Sequence, residues 1–201
     1  MTNHYQKAYF LLSAANVEQL PPDQGIEIAI VGRSNAGKSS ILNRITRNKS
    51  LARVSKTPGR TQLINIFIID DRRRIADLPG YGYAKVPLKA KELWQKAVDT
   101  YIGTRQSLRG LLLIMDIRHP LKDLDLQLLD YCSHYSIPVH IILNKSDKLS
   151  KSAVIKTSQQ VQSALTNFNN SVTFQTFSAL KGTGFQELLS LLNQWYDYKE
   201  G

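Results

Sequence analysis

One segment constrains this chain more than any other: Gly32-Arg33-Ser34-Asn35-Ala36-Gly37-Lys38-Ser39. It matches the pattern G-x-x-x-x-G-K-[ST], and it stands between an apolar run at residues 26–31 and a stretch of helical character at residues 38–47. The two glycines allow the backbone to curl so that successive N–H groups converge on phosphate oxygens, and the following helix adds the positive end of its dipole. The segment therefore predicts a phosphate-binding site between a strand and a helix.

The side chains of this loop suit phosphate and a divalent cation. Lys38 can reach the β- and γ-phosphates of a nucleotide, which makes it a catalytic candidate, and the hydroxyl of Ser39 is an oxygen ligand for Mg²⁺. The pattern alone assigns no role to Arg33 or Asn35. The predicted phosphate-binding residues are Gly32, Arg33, Ser34, Asn35, Ala36, Gly37, Lys38, Ser39 and Ser40.

Short apolar runs alternate with amphipathic stretches along the chain, which is typical of an α/β sheet protein. The predicted strands are residues 26–31, 63–70, 72–76, 110–115, 138–143 and 172–177. The predicted helices are residues 38–47, a stretch around 94–101, and residues 121–131, 151–168 and 185–195. We expect a P-loop NTPase fold, with a mostly parallel six-stranded sheet, one antiparallel strand and helices on both faces.

The length of 201 residues, without repeats or a linker, predicts a single domain. We expect an N-terminal extension at residues 1–24, a core at residues 25–196 and a frayed tail at residues 197–201. Cys132 is the single cysteine, so an internal disulfide and a cysteine-based zinc site are excluded. The longest apolar run, residues 111–115, is far below the roughly 20 residues of a membrane span, and we expect a cytoplasmic chain without membrane contact.

A second polar motif, Asp77-Leu78-Pro79-Gly80, follows the predicted strand at residues 72–76. Asp77 is placed to bind a metal ion through water, and Gly80 leaves room for its N–H to approach the γ-phosphate. Taken alone, the tetrapeptide favours a plain Asp-x-Pro-Gly turn over a metal site.

A third motif, Asn144-Lys145-Ser146-Asp147, follows the predicted strand at residues 138–143, where ligands bind in open α/β sheets. The Asp147 carboxylate can accept hydrogen bonds from the N1–H and the amine of guanine, whereas adenine would leave it unpaired. Asn144 would join this loop to the phosphate loop, and the Lys145 stem would lie along the base. Ser178-Ala179-Leu180 can offer a backbone N–H to guanine O6. These residues favour GTP and disfavour a kinase or an ATPase.

A further segment, Thr57-Pro58-Gly59-Arg60-Thr61, lies between the phosphate loop and Asp77. Together, these motifs resemble in their order those of the translation-factor class of P-loop GTPases. The longer stretches at residues 32–40, 55–62, 77–84 and 115–123 resemble the bacterial EngB GTPases of the TrmE–Era–EngA–EngB–septin-like class, and the likeness extends over about residues 10–195. The resemblance implies a Ras-like G domain that binds GTP or GDP with Mg²⁺ and hydrolyses GTP as a switch. It further implies a role in assembly of the large ribosomal subunit, linked to cell division and septation.

The resemblance also assigns roles to the segment before residue 63. It implies that Thr61 closes onto Mg²⁺, which gives Ser39, Thr61 and Asp77 as the metal set, and that Gly59 and Arg60 contact the nucleotide. Without the resemblance, the residues do not distinguish Thr57 from Thr61.

The chain lacks the glutamine that positions water in many GTPases, because Tyr81 follows Gly80. We therefore expect slow intrinsic hydrolysis that depends on a helper. In related GTPases an asparagine at the Asn35 position holds a K⁺ ion, so Asn35 is a catalytic candidate beside Lys38 and Thr61; alternatively, it stabilises the loop. The bound particle and Arg60 are the other candidate helpers.

The net charge of +10 is confined to one half of the chain. Residues 1–110 contain 18 basic and 8 acidic side chains, and residues 111–201 contain 8 of each. The excess predicts an RNA-facing surface around the phosphate loop and switches, without DNA sequence readout. For Arg72–Arg74, at the tip of a predicted hairpin, a solvated face is the alternative. The basic side chains considered are Arg44, Arg47, Lys49, Arg53, Lys56, Arg60, Arg72, Arg73, Arg74, Lys85, Lys89, Lys91, Lys96, Arg105 and Arg109.

Two functional hypotheses follow from these observations. The first is a monomeric GTPase switch that binds a precursor of the large ribosomal subunit through rRNA and ribosomal proteins. The second is a regulatory module that binds a protein partner in cell division and whose hydrolysis is incidental. Sensitivity of binding to salt and RNase distinguishes them.

Overall fold

The computed structural model describes residues 3–52, 63–82, 88–166, 168 and 172–198. Its strands are β1 (Tyr9–Ala14), β2 (Ile26–Gly32), β3 (Ile64–Ile68), β4 (Arg73–Asp77), β5 (Leu108–Asp116), β6 (Val139–Asn144) and β7 (Val172–Thr176). Its helices are α1 (Lys38–Ile45), α2 (Leu88–Thr104), α3 (Asp123–His134), α4 (Lys151–Leu165) and α5 (Phe185–Trp195). Short 3₁₀ helices lie at His4–Lys7, Val17–Gln19 and Ser146–Lys148.

The strands form one sheet in the order β1-β3-β4-β2-β5-β6-β7. β2 pairs in parallel with β4 and β5, and β6 pairs in parallel with β5 and β7. β3 is antiparallel to both of its neighbours, β1 and β4. The predicted α/β fold with one antiparallel strand is confirmed.

The predicted number of six strands is wrong, because β1 adds a seventh strand at the edge of the sheet. Tyr9 pairs with Ile68, and Ala14 pairs with Ile64. The edge position leaves Tyr9, Phe10 and Leu11 exposed, so β1 lacks the alternation of buried and polar residues that reveals a strand. Part of the predicted N-terminal extension therefore belongs to the sheet.

Several helix ends differ from the predicted boundaries by two or three residues. α1 ends at Ile45 rather than at residue 47, and α4 ends at Leu165 rather than at residue 168. α3 begins at Asp123 because the N–H of Lys122 is capped by the carboxylate of Asp125, at 2.8 Å. These are shifts of helix ends within the same elements.

The sheet separates two hydrophobic clusters, one on each face. Alternate residues of β2 point to opposite faces: Ala29 and Val31 pack in the cluster that includes α2, α3 and α4, whereas Ile28 and Ile30 pack with α1 and α5. The sheet is therefore buried on both sides, as expected for a parallel α/β sheet. Within the described residues, no helix is long and apolar enough to span a bilayer.

The predicted frayed tail is wrong at Tyr198, whereas residues 199–201 lie outside the described residues. The phenol of Tyr198 donates to Asp70 at 3.0 Å, and the guanidinium of Arg73 lies 4.0 Å from the centre of its ring. The ring also stacks on His4, with centroids 4.0 Å apart. These aromatic contacts hold the chain after α5 against the β3–β4 turn.

A buried ion pair joins β2 to the end of α2. Glu27 is fully buried and accepts two hydrogen bonds from Arg105, at 3.0 and 3.1 Å, and one from the phenol of Tyr101, at 2.6 Å. The assignment of Arg105 to an RNA-facing surface is therefore wrong, because its guanidinium neutralises a carboxylate inside the protein.

We expect Glu27→Ala to lower the free energy of unfolding by about 3–5 kcal/mol, because the buried Arg105 guanidinium loses both hydrogen bonds to Glu27 and keeps only the partly exposed Asp23, 3.6 Å away. Urea unfolding at neutral pH measures the change. Arg109→Ala is the control: its ion pair with Asp197 is exposed, and we expect a change within about 0.5 kcal/mol. A Glu27→Ala protein as stable as the control would contradict the expectation.

Candidate functional site

The phosphate loop spans residues 33–37, between the end of β2 and the start of α1. A Cβ atom on Gly32 would lie 2.4 Å from the carbonyl oxygen of Ile114, and one on Gly37 would lie 2.2 Å from Nδ2 of Asn144. Gly37 also has a φ of +102°, in the left-handed region that favours glycine. Gly32 is therefore required by the close approach of β5, and Gly37 by both the close approach of Asn144 and the backbone conformation of the loop.

Asn144 connects three loops at the carboxyl ends of the strands. Its side-chain amide donates to the carbonyl oxygen of Ala36 at 2.8 Å, and its Oδ1 accepts from the N–H of Ala179 at 3.1 Å. The residue is 2% exposed, so both hydrogen bonds are shielded from water. The predicted link between the base loop and the phosphate loop is confirmed, and it extends to Ala179.

Asp147 and Ser178 are hydrogen-bonded to each other at the predicted guanine site. The Ser178 hydroxyl donates to Oδ1 of Asp147 at 2.6 Å and accepts from the N–H of Lys181 at 3.0 Å. The hydrogen bond from Ser178 lowers the pKa of the Asp147 carboxyl and favours its ionised form. The carboxylate is thereby held in one orientation with an oxygen left for further donors.

Lys145 bridges the base loop and the phosphate loop from the other side. Its ammonium donates to the carbonyl oxygen of Asn35 at 2.6 Å and lies 2.9 Å from a carboxylate oxygen of Asp116. Burial raises the pKa of the Asp116 carboxyl, but hydrogen bonds from Arg118 and Lys145 outweigh burial and hold the pKa far below its ordinary value. Asp116 is therefore a fixed negative charge that positions the Lys145 stem.

Asp116 and Arg118 are not among the site residues predicted from the sequence. Nε and Nη2 of Arg118 donate hydrogen bonds to the two carboxylate oxygens of Asp116, at 2.9 and 2.6 Å. The sequence feature that could have identified Asp116 is its position at the end of a buried apolar run. In the structure this run is β5, and Asp116 pairs in register with Asn144 of β6. A polar residue at that end of a parallel strand lies beside the base loop.

Lys38 and Asp77 form an ion pair between the start of α1 and the end of β4. Asp77 pairs in register with Ile30 of β2, so the parallel pairing brings the carboxylate to the phosphate loop. The other carboxylate oxygen is 3.4 Å from the amide nitrogen of Asn65. The ammonium, the carboxylate and the hydroxyl-bearing Ser39 are thus supplied by adjoining ends of β4 and α1.

The chemistry of these donors suits a nucleotide-bound Mg²⁺ ion. Among the described residues, no group of three or more His, Cys, Asp or Glu side chains is placed to hold a metal by itself. One carboxylate and one hydroxyl leave most of the coordination to water and phosphate oxygens, which is how Mg²⁺ is bound in phosphoryl-transfer sites.

The phenol of Tyr81 is directed into the core. It is 3% exposed, donates a hydrogen bond to Asp125, and its ring lies 4.9 Å from that of Trp94. Burial, followed by the charge of Asp125, raises the pKa of the phenol well above its ordinary value. Tyr81 therefore anchors the segment after Gly80 between α2 and α3, and its hydroxyl is engaged there.

The backbone of Tyr81 contacts the phosphate loop directly. Its carbonyl oxygen accepts from the N–H of Ser34 at 2.7 Å, and its N–H donates to the carbonyl oxygen of Gly32 at 3.3 Å. The side chain of Arg33 lies against Gly82. Tyr81 is therefore attached to the phosphate loop through its backbone and to α3 through its phenol.

Other predicted site residues lie at the rim or outside the described residues. Ser40 is exposed on α1, and Leu180 is 74% exposed beyond Ala179. Gly80 is partly buried at the start of the segment that contains Tyr81. The predicted roles of Gly59, Arg60 and Thr61 lie outside the described residues, as do Arg53, Lys56, Lys85 and the side chains of Lys89 and Lys91.

Two further cations of the predicted RNA-facing surface are used to hold the fold. Arg73 donates to the carbonyl oxygen of Tyr196 at 2.7 Å. Arg74 is 8% exposed and donates to the carbonyl oxygens of Pro22 and Gln24. These two arginines therefore form neither an RNA-facing surface nor the solvated face expected of a hairpin tip, because their N–H groups satisfy carbonyl oxygens of neighbouring segments.

Comparison with known proteins agrees with this geometry. The family model described as "50S ribosome-binding GTPase" matches residues 27–145, and that of the elongation factor Tu GTP binding domain matches residues 98–197. The "Probable GTP-binding protein EngB" of Coxiella burnetii is 53% identical over 192 residues, covering 96% of this chain and 94% of that protein. Its namesake in Shewanella denitrificans is 54% identical over 195 residues, covering 95% and 89%.

Solved structures share the fold at lower identity. A probable EngB crystal structure has a TM-score of 0.67 at 22% identity, with 86% of this chain and 100% of that chain covered. Era in complex with MgGDPNP and a segment of 16S ribosomal RNA has a TM-score of 0.62 at 22% identity, with 89% and 59% covered.

The fold and the joined loops define a P-loop GTPase, a protein that binds GTP and hydrolyses it. Relatives that share more than half of their residues with this chain, over nearly its whole length, identify the family within this class. The chain belongs to the EngB family of GTP-binding proteins.

Proposed function

We propose that this GTPase is a cytoplasmic, monomeric switch that assists assembly of the large ribosomal subunit and is thereby linked to cell division and septation. The matched family model carries this proposal, because its description names the 50S ribosome. The excess of 18 basic over 8 acidic side chains in residues 1–110 supports an RNA-containing partner.

In this proposal the phosphate loop, with Gly80, Gly59 and Arg60, surrounds the phosphates, while Ser39, Thr61 and Asp77 hold Mg²⁺, the last through water. A Mg²⁺ ion held there would neutralise negative charge that develops on the phosphates during hydrolysis. When GTP enters, the Lys38 ammonium leaves Asp77 and contacts the phosphates. The Asp77 carboxylate would then be available to Mg²⁺. The Lys38–Asp77 ion pair is the observation that supports this exchange.

Guanine selection is assigned to the opposite side of the site. Asp147, held by Ser178, accepts the N1–H and amine of guanine, and the Lys145 stem covers the base. Asn144 keeps this loop at a set distance from the phosphate loop through Ala36, while Ala179 and Leu180 close the side near guanine O6. The hydrogen bonds of Asn144 and Ser178 support these roles.

Hydrolysis requires a helper, because the Tyr81 phenol is held by Asp125. We propose that Asn35 binds K⁺ beside the phosphates. Asn35 has a φ of +63° and is exposed, and within the described part of the chain its side-chain amide makes no hydrogen bond. Its carbonyl oxygen is held by Lys145, which fixes the residue while leaving the amide oxygen available to a cation.

We expect GTP hydrolysis to be at least about tenfold faster in KCl than in NaCl at equal ionic strength, since a cation beside the phosphates stabilises the transition state. Asn35→Ala should remove the difference, and both proteins should hydrolyse GTP equally in NaCl. Phosphate release under single-turnover conditions measures the rates. Equal rates for the unmodified protein in the two salts would contradict the role of Asn35.

Co-sedimentation with ribosomal subunits tests the proposed function. We expect more protein to sediment with large-subunit particles in the presence of a non-hydrolysable GTP analogue than with GDP, and the bound fraction to fall as salt rises. Treatment of the particles with RNase should abolish this binding. Nucleotide-dependent capture of a partner that is insensitive to salt and RNase would instead favour a regulatory module in cell division.

A further inference from the structure

A groove of about 510 Å³ lies between α1 and α5, next to the loop that contains Ala179. We call it the α1–α5 groove and define it by Arg44, Arg47, Lys49 and Phe185. The described residues that line it include these three cations and no aspartate or glutamate. Its chemistry is therefore that of a site for an anion that carries an apolar or planar group.

Arg47 occupies a backbone position that favours glycine. The N–H of Arg47 bonds to the carbonyl oxygen of Arg44, and the N–H of Asn48 bonds to that of Asn43, which is the Schellman arrangement after a helix. Arg47 stands at its left-handed position with a φ of +51°. The fold thus accepts an unfavourable backbone conformation at the residue that brings an exposed guanidinium to the groove.

Arg44 and Phe185 provide planar groups in the same groove. The guanidinium carbon of Arg44 lies 5.6 Å from the centre of the Phe185 ring. Guanidinium and aromatic planes are surfaces on which unpaired bases stack without regard to their identity. Arg47 and Lys49, both exposed at the rim, are free of ion pairs among the described residues and can meet phosphates.

We propose that the α1–α5 groove binds single-stranded RNA, with phosphates on Arg47 and Lys49 and one unpaired base against Phe185 and Arg44. The proposal rests on the RNA-containing partner of the proposed function and assigns a surface to it. A concave site with stacking planes favours an RNA strand over an acidic peptide, which offers carboxylates but no base.

The groove is connected to the nucleotide site through one side chain. Nη1 of Arg44 donates to the carbonyl oxygen of Ala179 at 2.9 Å, and the N–H of Ala179 donates to Asn144. An RNA base that moves Arg44 therefore acts on the loop beside guanine, so RNA binding and nucleotide affinity are linked. For this reason Arg44 is left unchanged in the test, and the rim residues are replaced.

Fluorescence anisotropy with a labelled oligouridine of about ten nucleotides tests the groove. We expect Arg47→Gly and Lys49→Ala each to weaken RNA binding about tenfold at low salt, and each to reduce the slope of log affinity against log salt by about 0.7. Arg47→Gly should melt at the same temperature as the unmodified protein or higher, because glycine suits the left-handed position. A loss of RNA binding without a loss of stability separates a binding role from a structural one.

Two further variants complete the experiment. Arg72→Ala removes one exposed cation from the β3–β4 turn and should leave RNA affinity within about twofold of the original, because it lies outside the groove. Phe185→Leu should weaken RNA binding while leaving the salt slope unchanged, since it removes stacking and no charge, and Phe185→Tyr should restore the affinity.

Three results would overturn the proposal. If Arg47→Gly and Lys49→Ala bind RNA as tightly as the unmodified protein, the groove is not the RNA site. If the unmodified protein binds no oligouridine but still co-sediments with large-subunit particles, the groove proposal fails and the proposed function stands. If the unmodified protein neither binds oligouridine nor co-sediments with large-subunit particles, both the groove proposal and the proposed function fail.

Discussion

Asp147→Asn is expected to weaken GTP binding by roughly 100–1000-fold, because it replaces a carboxylate that accepts two hydrogen bonds with an amide. The amide nitrogen would face the N1–H and amine of guanine as a third donor. The remaining amide oxygen can still accept the Ser178 hydroxyl, which donates to Oδ1 at 2.6 Å in the structure. The loop should therefore keep its conformation while its base preference changes.

The same substitution is expected to raise the affinity for xanthosine triphosphate, whose base carries an oxygen where guanine carries its amine. Titration with fluorescent GTP and xanthosine triphosphate analogues measures both affinities. Ser178→Ala is the matched control: it frees the Asp147 carboxylate without removing it, and we expect a loss of only about tenfold for GTP. An Asp147→Asn protein that retains its original GTP affinity would contradict the assignment of Asp147 to guanine.

Lys38→Ala is expected to weaken GTP binding about 100-fold and to reduce hydrolysis by a further factor of about 100–1000. The ammonium neutralises phosphate charge in the ground state and stabilises additional charge in the transition state. The nucleotide-free protein should also lose roughly 1–3 kcal/mol of stability, because the sheltered carboxylate of Asp77 loses its ionic partner.

Affinity, single-turnover hydrolysis and urea unfolding separate these effects. The double variant Lys38→Ala with Asp77→Asn is the control for stability, because it removes the carboxylate together with its partner and should recover most of the lost stability. Recovery of GTP affinity in the double variant would contradict the phosphate role of Lys38. An unchanged hydrolysis rate in Lys38→Ala would exclude it from catalysis.

The positions of the predicted phosphate and guanine motifs in the fold could be read from the sequence because the signals for them are local. Gly37 must adopt a φ of +102° in the loop, and a lysine must follow it at the start of α1. Asn144 and Asp147 follow a buried apolar run, which places them at a strand end by sequence alone. Residue types, spacing and strand–helix context were sufficient for these residues.

The missed strand and the wrongly placed arginines share a different cause, because each concerns a contact between distant parts of the chain. β1 is defined by hydrogen bonds to β3, more than fifty residues later, while its outer residues are exposed. Arg105 is buried by Glu27. Cations and edge strands have no periodic signal that separates an internal contact from a solvated surface.

The sequence by itself determined that the chain forms a strand–loop–helix phosphate site, that it selects guanine and that it lacks a glutamine after Gly80. Those properties depend on residues within a few positions of one another. Only the tertiary structure decided that Asn144 joins the phosphate loop to Ala179, that Asp116 positions Lys145 and that the Tyr81 phenol is committed to Asp125. Parallel strand pairing sets these distances, because it brings the ends of separate strands to one edge of the sheet.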